Sequence, residues 1–193
     1  MNGLQLYNLL IVCSSFFHYL VFMKRIILVG FMGAGKSTLG KKLASRLDVP
    51  FIDSDSEIEK EYNKTIGELF GEFGETHFRE IEAQFINSLR IREAFVLASG
   101  GGMPCYQNNM ALLNELGTTF YLERTPKELV NRLVNAKNQR PLVAGLSEED
   151  LLKFIEDKLS EREEYYRQAS ITLSREEQTI DAMERFTLLL HPQ

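Results

Sequence analysis

The amino-acid sequence contains, near its amino terminus, the stretch Arg25-Ile-Ile-Leu-Val-Gly30-Phe-Met-Gly-Ala-Gly35-Lys36-Ser37-Thr38. The run from Arg25 to Val29 is short, mostly apolar and β-branched, and it ends at a glycine, which predicts a buried parallel strand. Residues 30–37 fit the pattern G-x-x-x-x-G-K-[ST], and a helical pattern follows over 36–47. The stretch therefore predicts a strand, a phosphate-binding loop and a helix in direct succession.

Each residue type in this loop has a chemical reason to be there. The glycines let backbone N–H groups converge on phosphate oxygens, and the helix amino terminus adds positive potential. Lys36 can bridge the β- and γ-phosphates, and the Ser37 hydroxyl can coordinate Mg²⁺. A glycine-rich turn that only opens a helix is the alternative. The predicted nucleotide-binding residues of the loop are Gly33, Ala34, Gly35, Lys36, Ser37 and Thr38.

Further short apolar runs alternate with helical patterns along the rest of the chain. Together they predict a single three-layer α/β domain over residues 23–193, with a central, mostly parallel five-stranded sheet. The helices of about 54–92 form an insertion beside the sheet, and residues 137–147 have the polar composition of a mobile lid. The predicted strands are 25–29, 51–52, 95–98, 118–122 and 171–173, and the predicted helices are 36–47, 56–73, 75–90, 126–136, 147–167 and 176–190.

Composition limits the possible functions. The chain has 193 residues and a formal charge of −5, so its overall field gives no reason to expect nucleic acid or an anionic membrane as a partner. Its two cysteines, Cys13 and Cys105, do not make a disulfide framework or a zinc site. We expect a cytoplasmic protein and, because the domain pattern is complete, a monomer.

Residues 1–22 form an apolar extension without Asp, Glu, Lys or Arg. Polar interruptions and the lack of a basic segment or cleavage site argue against a secretory signal. We favour the hypothesis that translation begins at Met23, because a strand pattern follows that residue directly. An apolar tail packed on the domain and a weak membrane anchor are the alternatives. We expect no stable membrane association.

Two carboxylates follow the second predicted strand. Asp53 and Asp55 lie where ligands bind in open α/β sheets, and alternation along the chain points them the same way. Asp53 could hold Mg²⁺, and Asp55 could accept a hydrogen bond and then the proton of a substrate hydroxyl. Ordinary capping of the next helix, by Ser54 or Asp55, is the alternative.

The segment 74–82, the glycine run after Ser99, and Arg162 with Tyr166 indicate a second substrate, and a predicted lid adds a further cation. Arg79 and Arg162 could hold a carboxylate through paired hydrogen bonds, with Glu82 orienting Arg79. The glycines of 100–102 remove side chains where a ligand could approach. Arg140 in the predicted lid could bring a positive charge to the transferred phosphate. The alternatives are solvated arginines, a tight turn and an exposed loop arginine.

Taken together, these motifs resemble those of the shikimate kinase family. The set comprises GFMGAGKST at 30–38, DSD at 53–55, GExxFRxxE at 74–82, GGG at 100–102 and RPL at 140–142. The order and spacing match over about 24–190. The resemblance implies a nucleoside-monophosphate-kinase-like fold, with transfer of the γ-phosphoryl of ATP to the 3-hydroxyl of shikimate.

The resemblance also implies a role for each site residue. Lys36 and Arg140 would hold ATP phosphates, Ser37 and Asp53 would hold Mg²⁺, and Arg132 is the nearest candidate for stacking on adenine. Lys36, Asp55 and Arg140 are the predicted catalytic residues. The predicted shikimate-binding residues are Asp55, Arg79, Gly101, Gly102 and Arg162.

Three rival functions stay open on the sequence alone. A kinase for another polyol acid, such as gluconate, would share the loop and the lid, although Arg79, Arg162 and the glycine run disfavour it. An ATP-binding regulatory domain would not need these acids and arginines. A membrane-tethered NTPase depends wholly on residues 1–22.

Overall fold

The structure is a computed structural model that describes residues 25–135 and 145–190. The predicted extension at 1–22 lies outside these ranges, and so do Arg140 and most of the predicted lid. Five strands form one sheet in the order β2-β3-β1-β4-β5, and all of the pairings between neighbouring strands are parallel. The predicted parallel sheet is confirmed. The strands are β1 (Arg25–Val29), β2 (Phe51–Asp53), β3 (Phe95–Ala98), β4 (Thr118–Leu122) and β5 (Ile171–Leu173).

Seven α-helices of the described ranges connect and cover these strands. They are α1 (Lys36–Leu47), α2 (Ser54–Tyr62), α3 (Ile66–Ser88), α4 (Asn109–Leu116), α5 (Pro126–Val134), α6 (Glu148–Tyr166) and α7 (Ile180–Leu190). The central strands β3 and β4 are buried at every position, as expected for a parallel sheet covered on both faces. Within 25–135 and 145–190, no helix combines the length and the hydrophobicity that a membrane span requires.

The helices between β2 and β3 differ from the predicted ones. The predicted helix 56–73 is wrong, because α2 ends at Asn63, which caps it in a left-handed conformation. A new helix, α3, then begins behind Thr65, whose hydroxyl accepts a hydrogen bond from the Glu68 backbone while the Glu68 carboxylate bonds back to Thr65. The predicted break near Gly74 is a kink inside α3, where Gly74 has φ 76°.

One helix was not predicted. The eight-residue α4 begins without a side-chain cap, so the sequence signal at its start is weak. Its buried face, which includes Met110 and Leu113, packs into the core next to β4.

The topology puts several chain segments at one edge of the sheet. Because the strands are parallel, the segments that follow β1, β2 and β3 all leave from their carboxyl ends. These segments contain the phosphate loop, the acidic pair and the glycine run of 100–102. The fold therefore brings together three of the sequence features that are far apart along the chain.

Candidate active site

The phosphate loop has the backbone conformation that its sequence predicts. Gly30, Gly33 and Gly35 have φ values of 136°, 82° and 108°, which are accessible to glycine and strained for other residues. Gly35 directly precedes α1, so the loop lies at a helix amino terminus. Lys36 is buried, and its Nζ donates to the carbonyl oxygens of Gly30 at 2.6 Å and Phe31 at 2.9 Å. These bonds hold the ammonium group along the loop.

Ser37 and Asp53 lie in direct contact. The Ser37 hydroxyl donates to Oδ2 of Asp53 at 2.8 Å, which joins the phosphate loop to the end of β2. Oδ1 of Asp53 accepts a long hydrogen bond of 3.5 Å from the Ser56 backbone, so Asp53 is the residue that caps α2. Capping by Ser54 or Asp55, the alternative interpretation of this stretch, is wrong, because Asp53 is the cap. Capping occupies one Asp53 oxygen, and the other faces Ser37.

Asp55 lies against the glycine run. A Cβ built on Gly100 would be 2.5 Å from Oδ1 of Asp55 and 3.2 Å from Oε1 of Glu82. The buried Ser54 hydroxyl holds Gly100 and Asp55 next to each other. It accepts a hydrogen bond of 2.7 Å from the Gly100 N–H and donates one of 3.3 Å to Oδ1 of Asp55. Gly100 is therefore a candidate site residue that was not predicted individually from the sequence, although it belongs to the predicted glycine run.

Arg79 does not lie on a solvated helix face. Its side chain is 11% exposed, and its guanidinium donates to Glu82 at 2.7 Å and to Glu75 at 3.0 Å. The guanidinium also lies over the rings of Phe70 and Phe78. A Cβ on Gly102 would be 2.5 Å from Nη2 of Arg79, so a glycine at 102 makes room for it. The predicted orienting contact from Glu82 is present.

Glu82 is the most buried carboxylate of this cluster, with a residue exposure of 1%. Burial raises its pKa to about 7, although the positive charge of Arg79 and the hydrogen bond from it lower it. The nearby negative charge of Asp55 raises the pKa of Glu82 further. Its carboxyl group therefore titrates near neutral pH.

Arg162 reaches the same place from α6. Its guanidinium lies over the ring of Phe31, 5.7 Å from the centroid, and a Cβ on Gly101 would be 3.7 Å from its Nη1. The two arginines of the sequence prediction thus approach successive residues of the glycine run, Arg79 at Gly102 and Arg162 at Gly101.

Arg132, from α5, packs directly against the phosphate loop. Its Nε donates to the Gly33 carbonyl at 2.6 Å. Burial lowers its pKa, and Arg124 lowers it further. Arg132 borders a cavity of about 170 Å³ whose other lining residues include Thr38 and Gln178. Arg140, the other predicted cation of this region, lies outside the described residues.

A cavity of about 430 Å³ lies beside the phosphate loop, and Arg79, Glu82 and Arg162 are not among the residues that line it. It extends from the phosphate loop to the acidic pair and the glycine run, and the lining includes both carboxylates. In the described part of the chain, no cluster of three or more His, Cys, Asp or Glu side chains could by itself hold a metal ion. The residues that line the cavity include Gly33, Gly35, Lys36, Ser37, Thr38, Asp53, Asp55, Ser99, Gly101 and Arg132.

The parallel sheet, the phosphate loop after β1 and the polar pocket beside it define a P-loop kinase. A family model described as shikimate kinase matches residues 32–190, which is more than half of the chain. The chain belongs to the shikimate kinase family.

Individual relatives agree with this assignment. A shikimate kinase of Bacteroides fragilis is 49% identical over 148 residues, which cover 77% of this chain and 83% of the relative. The 1.7 Å crystal structure of shikimate kinase from Bacteroides thetaiotaomicron superposes with a TM-score of 0.79 at 41% identity, covering 86% of this chain and 97% of that one. Shikimate kinase from Acinetobacter baumannii, solved in complex with shikimate, has a TM-score of 0.73 at 36% identity, covering 86% and 93%.

Proposed function

We propose that this chain transfers the γ-phosphoryl group of ATP to the 3-hydroxyl of shikimate, giving shikimate 3-phosphate and ADP. Membership of the shikimate kinase family makes it an ATP-dependent kinase of the shikimate pathway. The observation that carries the acceptor assignment is the convergence of Asp55, Arg79 and Arg162 on three successive glycines beside the phosphate loop.

The charges of this cluster suit an acceptor that has both a carboxylate and hydroxyls. Arg79 has two carboxylate partners, and they differ in exposure: Glu82 is buried, whereas the side chain of Glu75 is 71% exposed. We propose that the acceptor carboxylate replaces the exposed Glu75 at Nη2 and that Glu82 stays in place. Release of Glu75 is favourable for Glu75 itself, because its side chain is 71% exposed and returns to water, and the acceptor carboxylate keeps the buried guanidinium paired. Arg162 would supply the second cation, with Gly101 and Gly102 contributing backbone N–H groups.

The nucleotide would occupy the other half of the cavity. Backbone N–H groups of Gly33, Ala34, Gly35, Ser37 and Thr38 face phosphate oxygens in such loops, and Lys36 supplies the charge. Lys36 would exchange its carbonyl partners, Gly30 and Phe31, for phosphate oxygens when ATP binds. We propose that Arg132 contacts adenine in the smaller cavity and that Arg140 closes over the phosphates.

The Ser37 and Asp53 pair fits Mg²⁺. A hydroxyl and a carboxylate oxygen 2.8 Å apart at the phosphate loop are hard ligands, and Mg²⁺ is commonly held by one or two protein oxygens together with substrate phosphates and water. When bound, the ion would neutralise charge that develops on the phosphate oxygens.

Catalysis would then consist mainly of positioning and of charge stabilisation. Asp55 lies at the acceptor side of the cavity, where it could orient the hydroxyl and accept its proton as the phosphorus–oxygen bond forms. Lys36 and Arg140 would stabilise the negative charge on the transferred group. Water exclusion would fall to the lid.

The test is ATP turnover by the purified protein with Mg²⁺ in a coupled ADP assay, with shikimate, gluconate or no acceptor in parallel. We expect shikimate alone to stimulate turnover. Stimulation by gluconate instead, or hydrolysis that no acceptor changes, would overturn the acceptor assignment. Lys36→Ala and Asp55→Ala should each remove most of the shikimate-dependent turnover and leave a folded protein, and a near-normal kcat in either would remove that residue from the mechanism.

We also propose that the enzyme acts as a monomer in the cytoplasm, without nucleic-acid partners or a stable membrane attachment. The acidic charge of −5 and the low cysteine count support this proposal. Light scattering after size exclusion, together with fractionation of cells expressing the full chain, would test it.

A further inference from the structure

Tyr166, at the end of α6, makes a hydrogen bond that the function described above does not use. Its hydroxyl donates to the carbonyl oxygen of Gly101 at 2.6 Å. The residue is fully buried, and its ring stacks on Tyr121 of β4 with centroids 5.2 Å apart. The hydroxyl is protonated and able to donate at neutral pH, because burial raises its pKa, although the charge of Arg162 and a hydrogen bond with that side chain lower it in part.

The bond constrains a backbone group of the acceptor pocket. A trans peptide is planar, so the Gly101 carbonyl and the Gly102 N–H point in opposite directions. Fixing the carbonyl on Tyr166 therefore fixes the direction of the Gly102 N–H. Within the described residues, this N–H makes no hydrogen bond. The Gly101 carbonyl has a second contact, from the Cys105 thiol, but at 3.9 Å it is much weaker.

Without the tyrosine, little would hold this peptide in one orientation. Three consecutive glycines have the largest conformational freedom of any tripeptide, and Gly101 has no side chain to pack. Gly100 is anchored by the Ser54 hydroxyl, and the Gly102 carbonyl accepts from the Cys105 N–H at 3.0 Å. The Tyr166 hydroxyl supplies the anchor between these two.

The stacked partner connects Tyr166 to the nucleotide half of the site. A Cβ on Gly30, the first glycine of the phosphate loop, would lie 3.5 Å from the Tyr121 ring. Tyr121 thus packs beneath the start of the loop, and Tyr166 packs on Tyr121. This arrangement holds the Tyr166 ring on a rigid strand, so that its hydroxyl position does not depend on the substrate.

We infer that Tyr166 is a positioning residue for the acceptor: its hydroxyl orients the Gly101–Gly102 peptide so that the Gly102 N–H is available to an acceptor bound beside Arg79. The inference rests on the proposed function, since it assigns a role within the shikimate pocket. It also explains how α6 contributes to that pocket beyond Arg162, which lies one helical turn before Tyr166.

The test is Tyr166→Phe, which keeps the ring and its stacking and removes the hydroxyl with both of its contacts, the Gly101 carbonyl and Arg162. Repeating the substitution in an Arg162→Met background separates the two contacts: a further weakening of shikimate binding supports the role at the Gly101–Gly102 peptide, and no further weakening refutes it. We expect the KM for shikimate to rise about three- to tenfold, the usual effect of losing one oriented hydrogen bond. The KM for ATP should stay within about twofold, because the phosphate loop keeps its contacts. Binding of shikimate to the nucleotide-free protein, measured by calorimetry, should weaken by the same factor as the KM.

The matched control is Tyr165→Phe. Tyr165 is the preceding residue on α6, and no hydrogen bond of its hydroxyl occurs among the described residues. This variant should leave both KM values and the thermal midpoint unchanged. Thermal unfolding of both variants separates a loss of binding from a loss of folded protein, and calorimetry scaled to the folded fraction keeps the comparison valid if Tyr166→Phe is less stable.

The possible results distinguish a failure of the Tyr166 role from a failure of the proposed function. An unchanged shikimate KM in Tyr166→Phe, or equal increases in the KM values of both substrates, would overturn the positioning role. If the unsubstituted protein shows no shikimate-dependent turnover in the same assay, the proposed function itself fails. If it does and the variant matches it, only the role of Tyr166 is refuted.

Discussion

Replacing Gly100 with alanine would move the candidate catalytic base without altering it. The new Cβ would lie 2.5 Å from Oδ1 of Asp55, whereas nonbonded carbon and oxygen atoms ordinarily stay about 3.5 Å apart. The Asp55 carboxylate must therefore shift by about 1 Å. The backbone of Gly100 is not left-handed, so an alanine adds the side chain without backbone strain.

The expected loss is in kcat. A displacement of about 1 Å of a positioned group costs about a hundredfold in rate, which corresponds to about 2.7 kcal/mol in the activation barrier. The protein should still fold, because the atoms that must yield are the end of the Asp55 side chain and the Glu82 carboxylate. Overpacking of this kind lowers the free energy of unfolding by about 1 to 3 kcal/mol.

The measurement is kcat at saturating ATP and shikimate, with thermal unfolding on the same samples. Gly71→Ala is the control, since Gly71 lies in α3 and a Cβ there would meet nothing within 4 Å. It should keep a normal kcat. The KM for ATP should be unchanged in both variants. A folded Gly100→Ala protein whose kcat equals that of Gly71→Ala would refute the idea that the present position of Asp55 matters to catalysis.

Three further outcomes are expected. Because burial raises the pKa of Glu82 to about 7, its protonation stabilises the fold at low pH, and this contribution is lost as the pH rises through 7. From about pH 5 to about pH 8, the free energy of unfolding of the unsubstituted protein should therefore fall by on the order of 2 kcal/mol more than that of Glu82→Gln. Urea titrations of both proteins at the two pH values measure this difference, and equal changes in the two proteins would contradict the prediction. Arg79→Lys should raise the shikimate KM about tenfold and leave the ATP KM unchanged, since an ammonium group cannot replace a planar fork, and equal rises would count against a carboxylate-binding role. Ser37→Ala should raise the Mg²⁺ concentration for half-maximal turnover about tenfold, and an unaltered Mg²⁺ dependence would exclude Ser37 as a ligand.

The parts of the candidate site whose geometry could be predicted best are those encoded by contiguous residues. The phosphate loop, Lys36 and Ser37 lie within one stretch whose glycines and helix start determine its conformation. The parallel sheet was also predictable, because short buried strands alternate with helices. The position of Asp53 at the end of a predicted strand indicated that it would lie at the ligand-binding edge of the sheet, and the topology places it against Ser37.

Other features depend on how distant segments pack, which a single sequence does not encode locally. Nothing in the periodicity of α3 distinguishes a buried Arg79 from a solvated one. The distinction comes from Phe70 and Phe78, whose rings lie beneath the guanidinium, and from Glu82 one turn away. The end of α2 likewise depends on Asn63, whose left-handed backbone conformation caps the helix. A single asparagine is a weak sequence signal for such a helix end.

The glycine run and the arginines explain each other. A tight turn alone would need at most one or two glycines, and its neighbours could carry side chains. Here Gly100 gives room to Asp55, Gly101 approaches Arg162, and Gly102 gives room to Arg79. Any side chain at 100 or 102 would occupy the volume of a charged group that Glu82 and Ser54 hold in place. The run is therefore better understood as the wall of a charged pocket than as a turn, because its three positions meet three different ionisable side chains from three different helices.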